Sequence, residues 1–323
     1  MASYTVVVTD HDFENLDIER EVLGDIADLV TLTDDVGQER NDAADVLAAA
    51  DGVLNLRYDI GADLVSSMES CRIIARYGIG VDNVATDTAR ELSIPVTNVP
   101  DYCLEEVSTH ALSLLLSLNR GVTTYDASVE TGAWDRDVAA PLSRLSSQTV
   151  GIVGFGAIGR AVAERLAGFG VDIITSDPFL SAEDLEGHDA ELVSFEQLLG
   201  RADYITIHSP LTDGTRGLFG PSEFEQMKET AALINVARGP IVQGDALRDA
   251  LDAGEIAGAG LDVFPTEPPA PDDALRTHDN VVTTPHVAWY SEEANAERRR
   301  AAAQNVRAAL EGEAPENVVN GVE

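Results

Sequence analysis

The feature that most constrains this chain is a glycine pattern set between an apolar run and a helical pattern. Thr149–Val153 are mostly apolar, Gly154, Gly156 and Gly159 follow at G-x-G-x-x-G spacing, and a helix-like stretch begins at Arg160. The first glycine permits a tight turn, the second lets the backbone approach a pyrophosphate, and the third lets helix and strand pack closely. The amides of Ala157 and Ile158 would direct a positive helix terminus at the phosphates. The pattern predicts a Rossmann-type dinucleotide site.

An acidic residue stands where such a site needs one. Asp177 lies 18 residues after Gly159, just past the next apolar run, Val171–Thr175. A carboxylate there accepts hydrogen bonds from the adenosine ribose and repels a 2′-phosphate. The sequence therefore predicts NAD as cofactor. NADP stays possible, because concentrated salt would screen that repulsion.

Short apolar runs alternate with helical patterns along most of the chain, which indicates parallel sheets covered on both faces. The expected fold class is α/β, with two doubly wound parallel-sheet (Rossmann/flavodoxin-like) domains. Ile94–Pro100 contains two prolines and is predicted as a hinge. Cys103–Arg120 is predicted as one buried apolar helix, and Ser291–Leu310 as a final helix that packs on either domain. The predicted strands are Tyr4–Thr9, Leu29–Leu32, Gly52–Asn55, Ile73–Ala75, Thr149–Val153, Val171–Thr175, Tyr204–Ile207, Ala231–Val236, Gly258–Leu261 and Val281–Thr284.

The charge balance excludes some partners. The chain has 57 Asp and Glu against 21 Lys and Arg, a formal net charge of −36, and Lys228 is its one lysine. Such a chain offers no basic stripe for nucleic acid and is repelled by anionic membranes. The same acidity favours a halophilic protein, in which salt screens the self-repulsion.

Other classes are also disfavoured. Cys71 and Cys103 make neither a disulfide framework nor a metal-ligand set, so no metal is expected. The first ten residues lack a signal peptide's basic region and long apolar run, and His110–Leu118 is too short to span a bilayer. We expect a cytoplasmic protein.

Three ionisable residues follow predicted strands of the second series. Arg238 stands after Ala231–Val236, Glu267 comes 29 residues later, and His286 a further 19 residues on. Ligands of open α/β sheets bind outside the carboxyl ends of the strands. Arginine can hold a substrate carboxylate, histidine can donate a proton to a carbonyl oxygen, and glutamate can fix the histidine tautomer. Each residue alone has a commonplace structural explanation, but together they predict hydride transfer to a 2-oxo acid.

These segments together resemble the D-isomer-specific 2-hydroxyacid dehydrogenase family, which includes phosphoglycerate dehydrogenases, glyoxylate/hydroxypyruvate reductases and C-terminal-binding proteins. The resemblance is carried in family order by RYGIGVDNV, NVPDYCLEEVSTHALSLLLSLNR, GIVGFGAIGR, INVARGP, GLDVFPTEPP and TPHVAW. It implies a cofactor domain, residues 100–290, inserted into a substrate domain, residues 1–99 and 291–323, with the last helix returning to the first domain. It also implies a homodimer formed through the cofactor domain. Thr109 departs from the acid that many members have.

The resemblance also assigns roles to residues. His286 is implied as the acid/base, Glu267 as its supporting acid and Arg238 as the substrate-orienting arginine. The implied substrate contacts are Arg57, Gly78, Ile79, Arg238 and Trp289. The implied cofactor contacts are Gly154, Gly156, Ala157, Ile158, Gly159, Asp177, His208, Ser209, Pro210, Thr215, Val236, Ala237, Arg238, Asp262, His286 and Ala288, with Asp262 at the carboxamide.

The predicted activity is the reversible reduction of small 2-oxo acids to D-2-hydroxy acids. Two alternatives remain open. One is an NAD-sensing regulatory scaffold of the C-terminal-binding-protein type. The other is a formate dehydrogenase, which pairs its histidine with glutamine, so Glu267 argues against it.

Overall fold

The computed structural model describes residues 4–32 and 40–322. The chain separates into two compact units, one made of Met1–Tyr102 with Ser291–Glu323 and the other of Cys103–Tyr290. Their assignment to substrate and cofactor stays a prediction. Among the described residues, no helix combines the length and apolar character needed to traverse a lipid bilayer.

The described residues form twelve strands and eleven α-helices. The strands are β1 Tyr4–Val8, β2 Ala27–Thr31, β3 Gly52–Asn55, β4 Ile74–Arg76, β5 Val96–Thr97, β6 Thr149–Val153, β7 Asp172–Ser176, β8 Glu191–Leu192, β9 Tyr204–Ile207, β10 Ala232–Asn235, β11 Gly258–Leu261 and β12 Val281–Thr283. The helices are α1 Asp17–Leu23, α2 Arg40–Ala48, α3 Ala62–Ser67, α4 Thr86–Glu91, α5 Leu104–Arg120, α6 Val122–Glu130, α7 Ala157–Ala167, α8 Phe195–Arg201, α9 Pro221–Phe224, α10 Gly244–Ala253 and α11 Glu292–Glu311.

Both sheets are parallel. In the part of the first unit that is described, five strands have the order β2-β1-β3-β4-β5, and the fully described second unit has seven in the order β12-β11-β10-β9-β6-β7-β8. Strands β3, β9, β10 and β11 are buried along their whole length, as expected for sheets covered by helices on both faces. The predicted α/β fold with two doubly wound parallel sheets is confirmed.

Strand order reverses direction once in each sheet. In the second sheet β6 has β7 on one side and β9 on the other, and in the first sheet β1 lies between β2 and β3. At such a switch point the loops after the two neighbouring strands diverge and leave a crevice at the carboxyl edge. The loops after β6 and β9 therefore enclose the natural ligand crevice of the second unit.

The last helix belongs to the first unit, which settles the open placement of Ser291–Leu310. Helix α11 packs against α1 and lies over β3 and β4. Arg299 on α11 forms a buried bidentate pair with Glu19 on α1, with nitrogen–oxygen distances of 2.9 and 2.6 Å. The Arg299 guanidinium also lies 3.9 Å from the centre of the Phe13 ring. Ser291 caps the helix by accepting a hydrogen bond from the Ala294 amide.

The segment predicted as a hinge contains a short strand, and its role as a hinge stays a prediction. Within Ile94–Pro100, Val96 and Thr97 form β5 and pair in parallel with Ile74 and Ala75 of β4. The proline-rich segment therefore completes an edge of the first sheet. A two-residue strand is too short for its apolar pattern to separate it from a turn.

Candidate active site

All the ionisable residues predicted for the chemistry lie at one edge of the seven-stranded sheet. Arg238 follows β10, Glu267 lies in the loop after β11, and His286 comes three residues after β12. These three strands are neighbours in the order β12-β11-β10, so their carboxyl ends point the same way. The glycine loop after β6 opens at the same edge.

The glycine loop has the backbone that a dinucleotide site requires. Gly154 has φ +88°, and a Cβ on it would lie 2.7 Å from the Ser209 amide nitrogen. A Cβ on Gly159 would lie 2.3 Å from the Gly154 carbonyl oxygen, so helix α7 packs directly on the turn. Nothing lies within 4 Å of a Cβ built on Gly156, which leaves that backbone open to a phosphate. Ala157 and Ile158 begin α7, with their amides in its first turn.

Asp177 connects the end of β7 to this loop. One of its carboxylate oxygens accepts a hydrogen bond from the Phe155 amide at 3.0 Å, and the other accepts from Phe179 at 3.0 Å. Because Phe155 lies between Gly154 and Gly156, the carboxylate stands beside the glycine turn. This is where a ribose acceptor belongs.

The loop after β9 covers the other side of the crevice. His208 is 2.8 Å from the Thr206 hydroxyl through Nε2, and burial lowers the pKa of His208 to about 3, so its ring is neutral. The buried Ser209 hydroxyl has no partner among the described residues. Thr215 shapes the rest of the loop by donating to the Pro210 carbonyl at 2.6 Å. The orphaned hydroxyl and the open Gly156 backbone fit a bound dinucleotide.

Asn235 fixes the turn that carries Arg238. The Asn235 amide donates to the Arg238 carbonyl at 3.0 Å, and its side-chain oxygen accepts from the Ala237 amide at 3.0 Å. Asn235 is buried, as is Val236, so the turn is held from inside the sheet. The Arg238 guanidinium donates to the Ala237 carbonyl at 2.9 Å. Nothing in the sequence had singled out Asn235.

Gly239 brings the loops after β10 and β11 together. A Cβ on Gly239 would lie 1.8 Å from the Phe264 carbonyl oxygen and 2.6 Å from the Pro265 nitrogen, so only glycine fits. The Phe264 amide in turn donates to Glu267 Oε1 at 3.0 Å. The backbone contact places the Glu267 loop beside the Arg238 turn.

Glu267 and His286 form a short hydrogen-bonded pair. His286 Nδ1 lies 2.6 Å from Glu267 Oε2, and their side chains are 33% and 34% exposed. Burial raises the pKa of Glu267, but the hydrogen bond and charge of His286, the Phe264 amide and the charge of Arg238 outweigh it and hold that pKa below its ordinary value. Glu267 is therefore an anion that orients the ring and leaves Nε2 as the nitrogen available for proton transfer.

The His286 backbone is held by Asp262. His286 has φ +56°, a left-handed conformation, and its amide donates to the Asp262 carbonyl at 2.8 Å. The Asp262 carboxylate accepts from the amides of Val287 at 2.9 Å and Ala288 at 2.8 Å. Its side chain has no exposed surface. The carboxylate is thus engaged in the loop, and its predicted contact with a carboxamide stays a prediction. Trp289 donates from its indole nitrogen to the His286 carbonyl at 3.0 Å.

The predicted substrate residues of the first unit lie in two loops. Asp10, after β1, accepts hydrogen bonds from three consecutive amides, those of Leu56, Arg57 and Tyr58, at 3.1, 2.6 and 3.2 Å. The exposed Arg57 side chain lies 3.4 Å from Asp12. The Asp10 contacts fix the loop at the switch point of the first sheet.

Arg76 ties the loop after β3 to the loop that contains Gly78 and Ile79. The buried Arg76 guanidinium donates to the side-chain oxygen of Asn55 at 2.9 Å, to the Leu56 carbonyl, and to the Gly80 carbonyl at 2.9 Å. The Gly78 carbonyl accepts from Val99, and the Ile79 carbonyl accepts from Asn98 at 2.7 Å. Sequence reasoning missed Asp10 and Arg76, because their partners are backbone groups and an amide side chain of other loops, and such contacts leave no periodic signal.

Comparison with known proteins gives a consistent result. The model of the D-isomer specific 2-hydroxyacid dehydrogenase NAD binding domain matches residues 112–288. Over 316 residues, 98% of this chain, there is 37% identity to D-3-phosphoglycerate dehydrogenase of Methanocaldococcus jannaschii. The chain spans 59% of that protein's length. Identity is 39% over 276 residues to glyoxylate reductase of Korarchaeum cryptofilum, with 84% of this chain and 82% of that one covered.

A solved structure matches along nearly the whole chain. D-lactate dehydrogenase from Aquifex aeolicus, complexed with NAD and lactic acid, superposes with a TM-score of 0.89 at 29% sequence identity. The match covers 98% of this chain and 99% of that one.

Proposed function

We propose, for a chain that belongs to the D-isomer specific 2-hydroxyacid dehydrogenase family, that it reversibly reduces small 2-oxo acids to D-2-hydroxy acids. The chain carries an NAD-binding domain, and a bound NADH supplies the hydride. The observation that supports the proposal most directly is the 2.6 Å contact between His286 Nδ1 and Glu267 Oε2 beside the Arg238 turn. A histidine held in this way can act as a general acid.

In the proposed reaction each residue has one task. Arg238 binds the substrate carboxylate and orients the adjacent carbonyl. As hydride reaches the carbonyl carbon, the proton on His286 Nε2 passes to the carbonyl oxygen, and the alcohol forms. Glu267 stabilises the histidine while it is charged. In the reverse direction His286 takes the proton back.

The first unit is proposed to bind the substrate. The amides of Gly78 and Ile79 would hold the carboxylate, and Arg57 would contact the distal group. The Asp10 and Arg76 contacts support this by fixing the loops in question. The identity of the distal group decides which oxo acid is preferred.

The cofactor assignments follow the carboxyl edge of the second sheet. The phosphates would lie on the glycine loop and the amides of Ala157 and Ile158, and the ribose on Asp177. The nicotinamide would lie near Val236, Ala237 and Ala288. Asp177 favours NAD over NADP, because a carboxylate beside the ribose disfavours a second phosphate there.

The proposed activity can be tested with the purified protein. NADH and NADPH absorbance is followed with glyoxylate, pyruvate, hydroxypyruvate and 3-phosphohydroxypyruvate. The proposal predicts turnover with at least one oxo acid, its loss in His286→Gln with NADH binding retained, and a lower kcat/KM in Arg238→Ala. Arg248→Ala, which alters a partly exposed arginine on α10, is the matched control. NADH binding without turnover on any substrate would favour the regulatory scaffold, and formate-dependent NADH production would favour a formate dehydrogenase.

We further propose that the chain forms a homodimer through the 103–290 unit. Helix α6 has no buried side chain, and Val122 and Val129 on it are 54% and 50% exposed. Trp134, just beyond the helix, is 93% exposed. Apolar surface of this kind is typical of an interface. A monomer by light scattering would contradict the proposal.

The acidity is proposed to be an adaptation to salt. A net charge of −36 on 323 residues strains the compact state unless counterions screen it. Among the described residues, most cations that pair with acidic side chains are arginines, such as the exposed Arg201 with Glu191 and the half-buried Arg307 with Asp25.

A further inference from the structure

We infer that His110 and Thr284 are positioning residues for His286, acting through Asp262. The inference rests on the proposed role of His286 as acid/base. Neither His110 nor Thr284 is part of the catalytic or cofactor set described above. Both lie in the second unit, His110 on helix α5 and Thr284 directly after β12.

Two consecutive hydrogen bonds connect His110 to Asp262 through Thr284, and both donate towards Asp262. Thr284 Oγ1 lies 2.6 Å from Asp262 Oδ1, the distance of a hydroxyl that donates to an ionised carboxylate. A threonine hydroxyl has one proton, so Thr284 must accept in its other contact. That contact is with His110 Nε2 at 2.9 Å, and His110 therefore donates. The geometry thus fixes His110 with its proton on Nε2.

The chain ends on the carboxylate that holds the catalytic loop. Asp262 accepts the Thr284 hydroxyl and the Val287 amide on Oδ1, and the Ala288 amide on Oδ2. With no exposed surface, the Asp262 side chain depends on these donors in place of water. Removing the Thr284 hydroxyl leaves the carboxylate under-satisfied, so it must rotate or admit water. Either change alters how it holds the two amides.

His286 is sensitive to such a change because of its backbone. A non-glycine residue at φ +56° is stable only where its surroundings enforce that conformation. The enforcing contacts are the Asp262 carbonyl on the His286 amide and the Asp262 carboxylate on the next two amides. Relaxation of this loop would move the imidazole away from Glu267, which it contacts at 2.6 Å.

The first donor of these hydrogen bonds, His110, lies on helix α5, which is held in place by its packing. It packs on β10, β11 and β12, and Ala111 and Leu112, which follow His110, are buried. The His110 side chain is only 22% exposed. The position of His286 therefore depends on a helix that packs on the sheet as well as on its own loop. If His110 only filled space, it would not influence the position of His286.

The test uses a pair of substitutions at position 284. Thr284→Val keeps the shape and removes the hydroxyl, whereas Thr284→Ser keeps the hydroxyl. Thr283→Val, at the exposed neighbouring position, is the matched control. The measurements on the 323-residue chain are kcat and KM for the best oxo acid, the NADH Kd by fluorescence, and the His286 ring signals by ¹H–¹⁵N NMR.

We expect Thr284→Val to lower kcat at least tenfold and to shift the His286 ring signals. Thr284→Ser and Thr283→Val should keep both kcat and the NADH Kd within threefold of the wild type. Unchanged kcat in Thr284→Val, or an equal loss in Thr284→Ser, would overturn the inference. If Thr284→Val does not fold, His110→Gln, which keeps a donor, and His110→Leu, which does not, replace the pair with the same expectations.

The inference and the proposed function fail in different ways. Absence of turnover in the unaltered protein, or full activity of His286→Gln, refutes the proposed function. The NMR signals need no substrate, so unchanged His286 ring signals in Thr284→Val refute the positioning role whether or not turnover is seen.

Discussion

Replacing Glu267 by glutamine removes the charge from the partner of His286 while keeping nearly the same shape. The variant retains an oxygen that can accept from His286 Nδ1. It loses the attraction between a carboxylate and the imidazolium that forms when His286 takes the proton from the hydroxy acid. We therefore expect folding and NADH binding to persist and the chemical step to slow.

The size of the effect follows from the geometry. A distance of 2.6 Å is that of a charge-assisted hydrogen bond. Such bonds contribute about 1.5–3 kcal/mol, against about 0.5–1.5 kcal/mol for a neutral one. Both side chains are about one-third exposed, at 33% and 34%, so solvent screening weakens the interaction. We therefore expect the substitution to remove about 1–2 kcal/mol of stabilisation from the charged histidine. At about 1.36 kcal/mol per tenfold, kcat should fall about five- to thirtyfold.

The assay is steady-state oxidation of the D-2-hydroxy acid at saturating NAD⁺, the direction in which His286 becomes charged. Glu225→Gln, at an exposed position of the same unit, serves as the control and should keep the wild-type rate. A kcat in Glu267→Gln within twofold of the wild type would refute the assigned support of His286. So would an equal loss in the control.

The same variant tests the lowered pKa of Glu267. Because the pKa is below its ordinary value in the folded protein, the ionised carboxylate adds stability above the unfolded-state pKa, and this is lost as pH falls through the folded-state pKa. The thermal midpoint advantage of the wild type over Glu267→Gln should be complete above about pH 5 and shrink below about pH 4. An advantage that is independent of pH would contradict this.

Three further predictions concern the cofactor and the surface. Gly159→Ala places a Cβ 2.3 Å from the Gly154 carbonyl, an overpacking cost of about 1–3 kcal/mol, and should weaken NADH binding. Gly168→Ala, whose Cβ meets nothing closer than 3.9 Å, should not, and equal affinities by titration would contradict the packing argument. Asp177→Ser should lower the NADH-to-NADPH ratio of kcat/KM about tenfold through lost charge-assisted bonds, and an unchanged ratio would reject the ribose role. The thermal midpoint should rise when KCl increases from about 0.1 to about 1 M, as the Debye length falls from about 10 to about 3 Å, and a constant midpoint would refute salt adaptation.

The parts of the fold that could be predicted are those with a local signature. Strand β6 and the glycine turn appear directly in the sequence, because each glycine answers a local steric demand. Strand β5 was not predicted, because two residues have no measurable period. Helix α6 was not predicted either, because its exposed apolar side chains disrupt an amphipathic pattern.

The residues of the candidate site were likewise predicted only where the sequence carries a local signal. Arg238, Glu267 and His286 were singled out because the three occur together after strands of the second series, behind the dinucleotide fingerprint. Gly239 was missed, because its closeness to Phe264 depends on how β10 and β11 pair. Arg76 was missed too, since its partners are carbonyls and an amide that only the folded loops bring together.

The first unit is built from two segments that are far apart in the sequence, which affects how the chain folds during translation. The segment up to residue 102 leaves the ribosome well before α11, and until then Glu19 lacks Arg299, the cation that compensates its burial. A buried carboxylate without its partner is strongly unfavourable, so this part of the core stays open during translation. The 103–290 unit contains every strand of its own sheet and can fold in the interval. We therefore expect the inserted unit to fold first and the enclosing unit to be completed last, when its final helix has been synthesised.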